Sequence, residues 1–343
     1  MLSVMILRPK SSSRHQRPML AAPAAAPVVA LPGWLRRAVP DAQSLAAEGL
    51  EDIALLAGAA IGALDTVVRR QERWAGAWRQ RLALVAAAVA TRQAGRVEDE
   101  AALRDAVLLT RPGDDVGPAG RMLLTWRRLA ARPVDKLLTE MSIAGVFDAL
   151  GLARDDETAA DLADELRQLA ASEGAVGMLI GAFVAVEQRG LPRTIGCWIA
   201  DAMLAQRLGW TQAVPLIGGE AAGATGSGRP RRGATVLAAK GIEAVPERAT
   251  MLLAAQARAT LRAVDLSAEL GRRADRLLAV APKLRARAAD AVVERLLSDD
   301  AIVASEKTAG MSDRGMRRLF DRLVELGAVR ELSGRPTFRI YGL

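Results

Sequence analysis

The stretch SDRGMRRLFDRLVELGAVRELSGRPTFRIYGL, Ser312–Leu343, decides how the rest of this 343-residue chain is read. Ser312 is a good N-cap, because its hydroxyl oxygen can accept from an early backbone N–H, and Asp313 complements the positive helix end. Met316, Leu319, Phe320, Leu323 and Val324 then fall at i, i+3, i+4, i+7 and i+8, one apolar stripe. Arg314, Arg317, Arg318 and Arg322 lie on other faces. Gly327 stands at C′, where the left-handed backbone that closes a helix favours glycine. Beyond it, AVREL and TFRIY alternate in character around SGRP, the pattern of a β-hairpin.

Upstream, Pro282 is expected to open a helix over KLRARAADAVVERLLSD, and a second short helix fits AIVASEKTAG. Three helices followed by a hairpin is the layout of a winged helix-turn-helix, so residues 282–343 are assigned to that module, with RELSGRPTFRIYGL as the wing. Where this fold binds DNA, the third helix enters the major groove and the wing touches the backbone or minor groove. The candidate DNA-binding residues are therefore Arg314, Arg317, Arg318 and Arg322 on the helix and Arg335 at the wing tip. From Lys283 to Leu343 there are twelve Lys/Arg against nine Asp/Glu, so overall charge argues little and the arginines of the third helix carry the expectation. The alternative is a protein-docking or dimerisation use of the same module.

The remainder is Ala- and Leu-rich and reads as helix. Leu45, Leu50, Ile53, Leu56, Ile61 and Leu64 recur at helical spacings, and Trp74, Trp78, Leu82 and Val85 continue the pattern. Further helices are predicted near 98–109, 118–131, 134–151, 156–171, 175–188 and 193–207, punctuated by TRPGDDVGPAG, Pro133 and Pro192. The fold class is thus mainly α: a multi-helical domain over 41–216, a Gly-rich linker over 217–234, a connecting long helix over 235–281, and the terminal module. Residues 1–40 read as a flexible basic Pro/Ala-rich arm.

The formal charge is +8, but the arm holds six basic residues and no acid, which leaves 41 basic against 39 acidic side chains elsewhere. Whole-chain charge is therefore weak support for a nucleic-acid partner. Cys197, the single cysteine, sits in TIGCWIA and reads as a core residue, while the only histidine, His15, lies in the arm. No Ser-His-Asp triad or histidine or cysteine metal site can be assembled in the body, so a protein without catalytic constellation, metal or cofactor is expected. The Gly-rich segment lacks the Gly-Lys-Ser/Thr and preceding strand of a phosphate loop.

One dense acidic block, Glu98, Asp99, Glu100, Asp105, Asp114 and Asp115, leaves a magnesium-dependent enzyme as a third alternative. Each of its positions also suits a helix first turn, cap or turn, with Arg79, Arg81, Arg104 and Arg121 as possible ion-pair partners. Trp74, Trp78 and Trp126 read as core anchors. The apolar runs are shorter than a membrane span, and Pro23, Pro27 and Pro32 break the small-residue run near the start, so a cytoplasmic protein with no membrane contact is expected. Double-stranded DNA is the expected partner, with a homodimer or a protein partner as further possibilities.

The block WAGAWRQRLALVAAAVATRQAGRVEDEAALRDAVLLTRPGDDVGPAGRMLLTWRRLA (Trp74–Ala130), together with Ser312–Leu343, resembles a bacterial family of unknown function, the one numbered 1403 among the catalogued domains of unknown function. The resemblance runs from about Pro32 to Leu343 and implies an architecture rather than an activity. The helical body with a terminal wing is also similar in layout to proteins carrying a Fic-type domain, but the histidine-containing catalytic loop of that family has no counterpart here. The short GRP and following Tyr of the wing are similar to the chromosome segregation and condensation protein B family, whose winged helices dock on proteins.

Overall fold

The computed structural model describes residues 31–39, 49–153, 155–220, 244–284, 289–305 and 311–343. Among them the chain is mainly helical with one small antiparallel sheet. A short α1 (Gly33–Ala38) precedes α2 (Leu50–Arg69), α3 (Ala75–Gln93), α4 (Glu100–Leu108) and α5 (Gly117–Ala131). Next come α6 (Glu140–Ala149), α7 (Asp156–Ser172), α8 (Ala175–Gln188) and α9 (Arg193–Arg207). The long α10 (Ala244–Val280) leads to α11 (Ala289–Ser298), β1 (Ile302–Val303), α12 (Asp313–Glu325), β2 (Arg330–Glu331) and β3 (Ile340–Gly342).

Side-chain caps set several helix starts by satisfying backbone donors that have no partner within the helix. Asp99 accepts from the Ala102 N–H at 2.9 Å, Thr139 from Ser142 at 3.3 Å and Asp155 from Thr158 at 2.9 Å. The bounds of α8 and α9 coincide with the expected 175–188 and 193–207, since Gly174 and Pro192 leave little latitude. The expected helix over 134–151 is divided instead. A 3-10 turn at Val134–Lys136 comes first and α6 starts only after Thr139, because the Val134 N–H is drawn to the Thr211 carbonyl at 3.1 Å.

Helix α10 passes through the middle of the protein, with every residue from Leu252 to Leu261 buried. Within this stretch Ala254, Ala255, Ala257 and Ala259 fill positions that larger side chains would obstruct, and the buried polar residues between them find partners: Gln256 donates to the Thr260 hydroxyl at 3.4 Å and Arg258 to Glu220 at 3.2 Å. Against it lie α2 and the alanine-rich α3, whose Trp78 donates its indole N–H to the Ala263 carbonyl at 2.9 Å. Trp78 and Trp126 are buried and Trp74 packs against the core, as their spacing predicts.

Tertiary burial overrides two composition-based expectations. Part of the expected arm, Gly33–Ala38, is helical, with Leu35 wholly buried and Arg36 paired with Asp265 of α10 at 2.6 Å. The start of the expected linker is also core: Ile217–Gly219 forms a buried 3-10 turn. The buried Asp201 carboxylate holds it by accepting backbone N–H groups of Leu216 at 2.8 Å, Ile217 at 3.0 Å and Gly218 at 3.5 Å. Burial pushes the Asp201 carboxyl up to about 7, although those donors favour its ionised form. Glu220, next in the linker, is also buried and pairs with Arg258 at 3.2 Å, whereas residues 221–234 of the linker and residues 1–30 of the arm, His15 included, lie outside the described residues.

Two expectations for the terminal module are corrected as well. The helix assigned from Pro282 is a 3-10 turn at Ala281–Lys283 that ends α10, and α11 is described from Ala289. Within AIVASEKTAG, Ile302 and Val303 form β1 rather than helix, because these β-branched residues pair with Tyr341 and Ile340 of β3. Residues 306–310 of that segment lie outside the described residues. β3 is central, in the order β1-β3-β2, and both pairings are antiparallel. One contiguous apolar core joins Met316, Phe320, Tyr341 and Leu343 to the helical body.

Gly218 sits where an added Cβ would overlap the ring of the fully buried Trp126. Gly218→Ala is expected to destabilise the protein by about 1–3 kcal/mol, as overpacking does, read as a lower urea midpoint at unchanged slope.

Candidate nucleic-acid interface

α12 is built as expected. The Ser312 hydroxyl accepts from the Gly315 N–H at 3.2 Å, and Gly327, at φ 63°, closes the helix. The Gly327 and Ala328 N–H groups return to the Val324 and Leu323 carbonyls, both at 2.9 Å, which satisfies the last free carbonyls. Met316, Leu319, Phe320 and Leu323 are buried, and Phe320 stacks on Tyr341 of β3 with ring centroids 4.3 Å apart. Val324, expected on the same stripe, lies at its edge and is 37% exposed.

The opposite side of α12 is basic. Arg314, Arg317 and Arg318, at i, i+3 and i+4, share one exposed face, and among the described residues none pairs with them. Arg322 is exposed a turn further on and pairs with Glu325 at 3.0 Å. Arg335, in the turn between β2 and β3, is directed at the helical body, where Asp105 of α4 takes up its guanidinium. The five candidates thus divide: three lie together on an open face, one has a local partner, and the expected wing-tip arginine is engaged by the body.

Two acids of the module, Glu331 and Asp321, share one arginine. Arg339, at the foot of β3, donates to Glu331 at 2.6 and 2.8 Å and to Asp321 of α12 at 3.2 Å. Its guanidinium lies 5.3 Å from the Tyr341 ring centroid. The hydrogen bond from Arg339 holds the Glu331 carboxyl below its usual range. Phe338, beside Arg339, is 62% exposed with φ 54°, a left-handed backbone uncommon for a bulky residue.

What fixes this module to the body is a buried ionic junction that the sequence does not reveal. Asp300, between α11 and β1, is buried and receives Arg104 of α4 at 2.6 Å together with Arg81 of α3. Arg81 also donates to the Asp300 carbonyl at 3.3 Å and the Leu343 carbonyl at 3.4 Å. Arg273 of α10 reaches the Leu343 carbonyl at 3.0 Å, and Glu269 receives both Arg273 and Arg330 of β2, the latter at 3.7 Å. Burial by itself would push the Asp300 carboxyl up, but the charges and hydrogen bonds of Arg81 and Arg104 outweigh it and hold the group below the usual carboxylate range.

The acidic block does not converge. Asp99 caps α4, Glu98 pairs with Arg96, Glu100 lies 4.0 Å from Arg104, and Asp105 holds Arg335. Asp115 accepts from the Gly117 N–H at 2.9 Å and lies 3.9 Å from Arg121, while Arg79 donates to the Ala130 carbonyl at 3.0 Å. Among the described residues no three His, Cys, Asp or Glu side chains gather as metal ligands, and no helix is long and apolar enough to cross a membrane. Cys197 is buried in the core, and burial pushes its thiol up to about 12.

The family model described as "Protein of unknown function (DUF1403)" matches residues 22–343, and the chain belongs to that family. No curated protein and no solved structure matches it.

Removing the Asp300 charge strands two arginines that are nearly as buried as their partner. Asp300→Asn is expected to cost about 3–5 kcal/mol, the usual effect of breaking a buried pair. Because the folded-state carboxyl is depressed, its contribution is present above the ordinary carboxylate range and is lost as pH falls through the folded value. Urea titrations at several acidic pH values should show a fall in wild-type stability, with the Asp300 part of it missing in the variant.

Proposed function

We propose that this member of the DUF1403 family binds double-stranded DNA through α12, as a regulator or replicon-associated factor. The observation that carries the reading is the open face of Arg314, Arg317 and Arg318, backed by the buried stripe Met316, Leu319, Phe320 and Leu323. Three guanidiniums within little more than one helical turn match the spacing of phosphates and base edges along a major groove. The sheet supports a winged-helix reading of the module: β1 follows α11, α12 precedes β2, and β3 lies between the other strands. Arg322 and Arg335 are secondary in this scheme, since a phosphate must draw each from a carboxylate.

A protein-docking use is favoured by a different observation. Val324, Leu326 and Phe338 are all exposed apolar residues of this module. Such a surface suits a protein better than a phosphate backbone, and it predicts complexes indifferent to salt.

The test is fluorescence anisotropy on random-sequence duplex across a salt series, using the full chain because the module shares its core with the body. Arg8, Lys10, Arg14 and Arg17 are replaced by Gln so that the basic first residues do not mimic the result. Log affinity is expected to fall linearly with log salt, and Arg317→Ala and Arg318→Ala should each weaken binding and reduce the slope by about one. Unchanged affinity in both variants would remove α12 from the interface.

A further inference from the structure

We infer that Arg339 is a positioning residue for this surface: it holds Asp321 against the sheet, so that the acid does not cancel the arginines of α12. The inference rests on the DNA reading of α12 and adds a residue that makes no contact with the duplex itself.

Asp321 follows Arg317 by four positions and Arg318 by three, the two spacings at which side chains on a helix surface meet. Left to itself it would pair with either, lowering the positive charge offered to phosphate and occupying the donors that phosphate needs. It is 55% exposed, so burial does not restrain it. What restrains it is Arg339, whose Nη1 donates to Asp321 Oδ1 at 3.2 Å.

Arg339 is in turn well fixed. Its Nε and Nη2 both donate to Glu331 Oε2, and the guanidinium lies near the face of Tyr341, whose ring stacks on Phe320 of α12. The Glu331 carboxylate is steadied by the Ser333 hydroxyl at 3.1 Å, and that hydroxyl accepts from the Ile340 N–H at 3.2 Å. As an arginine it stays charged at any pH at which the protein is handled, and the hydrogen bond to Glu331 favours the charged form further. A single arginine therefore answers two acids, one on the sheet and one on the helix, while Arg314, Arg317 and Arg318 keep their charge for a partner.

The experiment is a charge cycle in the full chain carrying the Gln substitutions at Arg8, Lys10, Arg14 and Arg17. Arg339→Ala, Asp321→Asn and the double variant are compared with the parent by anisotropy on random duplex, with thermal melts alongside. Arg339→Ala is expected to weaken binding about fivefold at low salt and to flatten the salt slope. Asp321→Asn should bind at least as well as the parent, and the double variant should recover parental affinity although it lacks the same hairpin contacts as Arg339→Ala. Parental affinity in Arg339→Ala would overturn the inference. So would a loss that Asp321→Asn fails to restore, because the damage would then be structural rather than electrostatic. A parent with no duplex affinity would instead overturn the DNA reading, and the assignment of Arg339 would fall with it.

Discussion

The placement of everything beyond α10 depends on one buried carboxylate. Asp300 lies out of water between two arginines from different helices, and each of the three groups is tolerable there only because the others are present. Such a junction adds less net stability than its short contacts suggest, since three charges must first be desolvated. Its effect is on register: a shift that brought Ala301 into the place of Asp300 would bury two uncompensated guanidiniums. Gly342 reinforces this, because a side chain there would collide with the Asp300 carbonyl. With Asp300 fixed, β1 has a place, β3 pairs with it, and Phe320 stacked on Tyr341 sets the rotation of α12.

The charge of the exposed surface then follows from which arginines the structure uses for itself. Arg330 is shared with Glu269, Arg335 with Asp105, Arg322 with Glu325, and Arg339 with Glu331 and Asp321. The module is only modestly basic by composition, yet among the described residues this allocation leaves the three arginines Arg314, Arg317 and Arg318 without a carboxylate partner on one helical face. A charged surface of that kind is defined by the ion pairs around it as much as by its own residues.

Much of the helical body was legible because its signals are local. Gly174 and Pro192 bound α8 and α9, and the periodicity of α12 reports its buried side directly. The failures share a cause. β1 has two residues, too few to show a strand period, and its pairing with Ile340 and Tyr341 is decided almost forty residues later. Leu35 and Gly218 lie in segments whose composition reads as loop, and only the core around them makes them structural. Asp300 has no local signature: the partners that give it meaning, Arg81 and Arg104, stand 219 and 196 residues away. The acidic block was conspicuous because its members are neighbours in sequence, and for the same reason most of them serve caps and nearby ion pairs.

Those separations also set an order of events in time. A ribosome adding about 5–20 residues per second needs roughly 10–40 s to travel from Arg81 to Asp300. Throughout that interval α3 and α4 carry guanidiniums meant for a dry site whose anion has not been made. Water is the better environment for both until then, since each guanidinium is tolerable in the buried site only with the Asp300 carboxylate beside it.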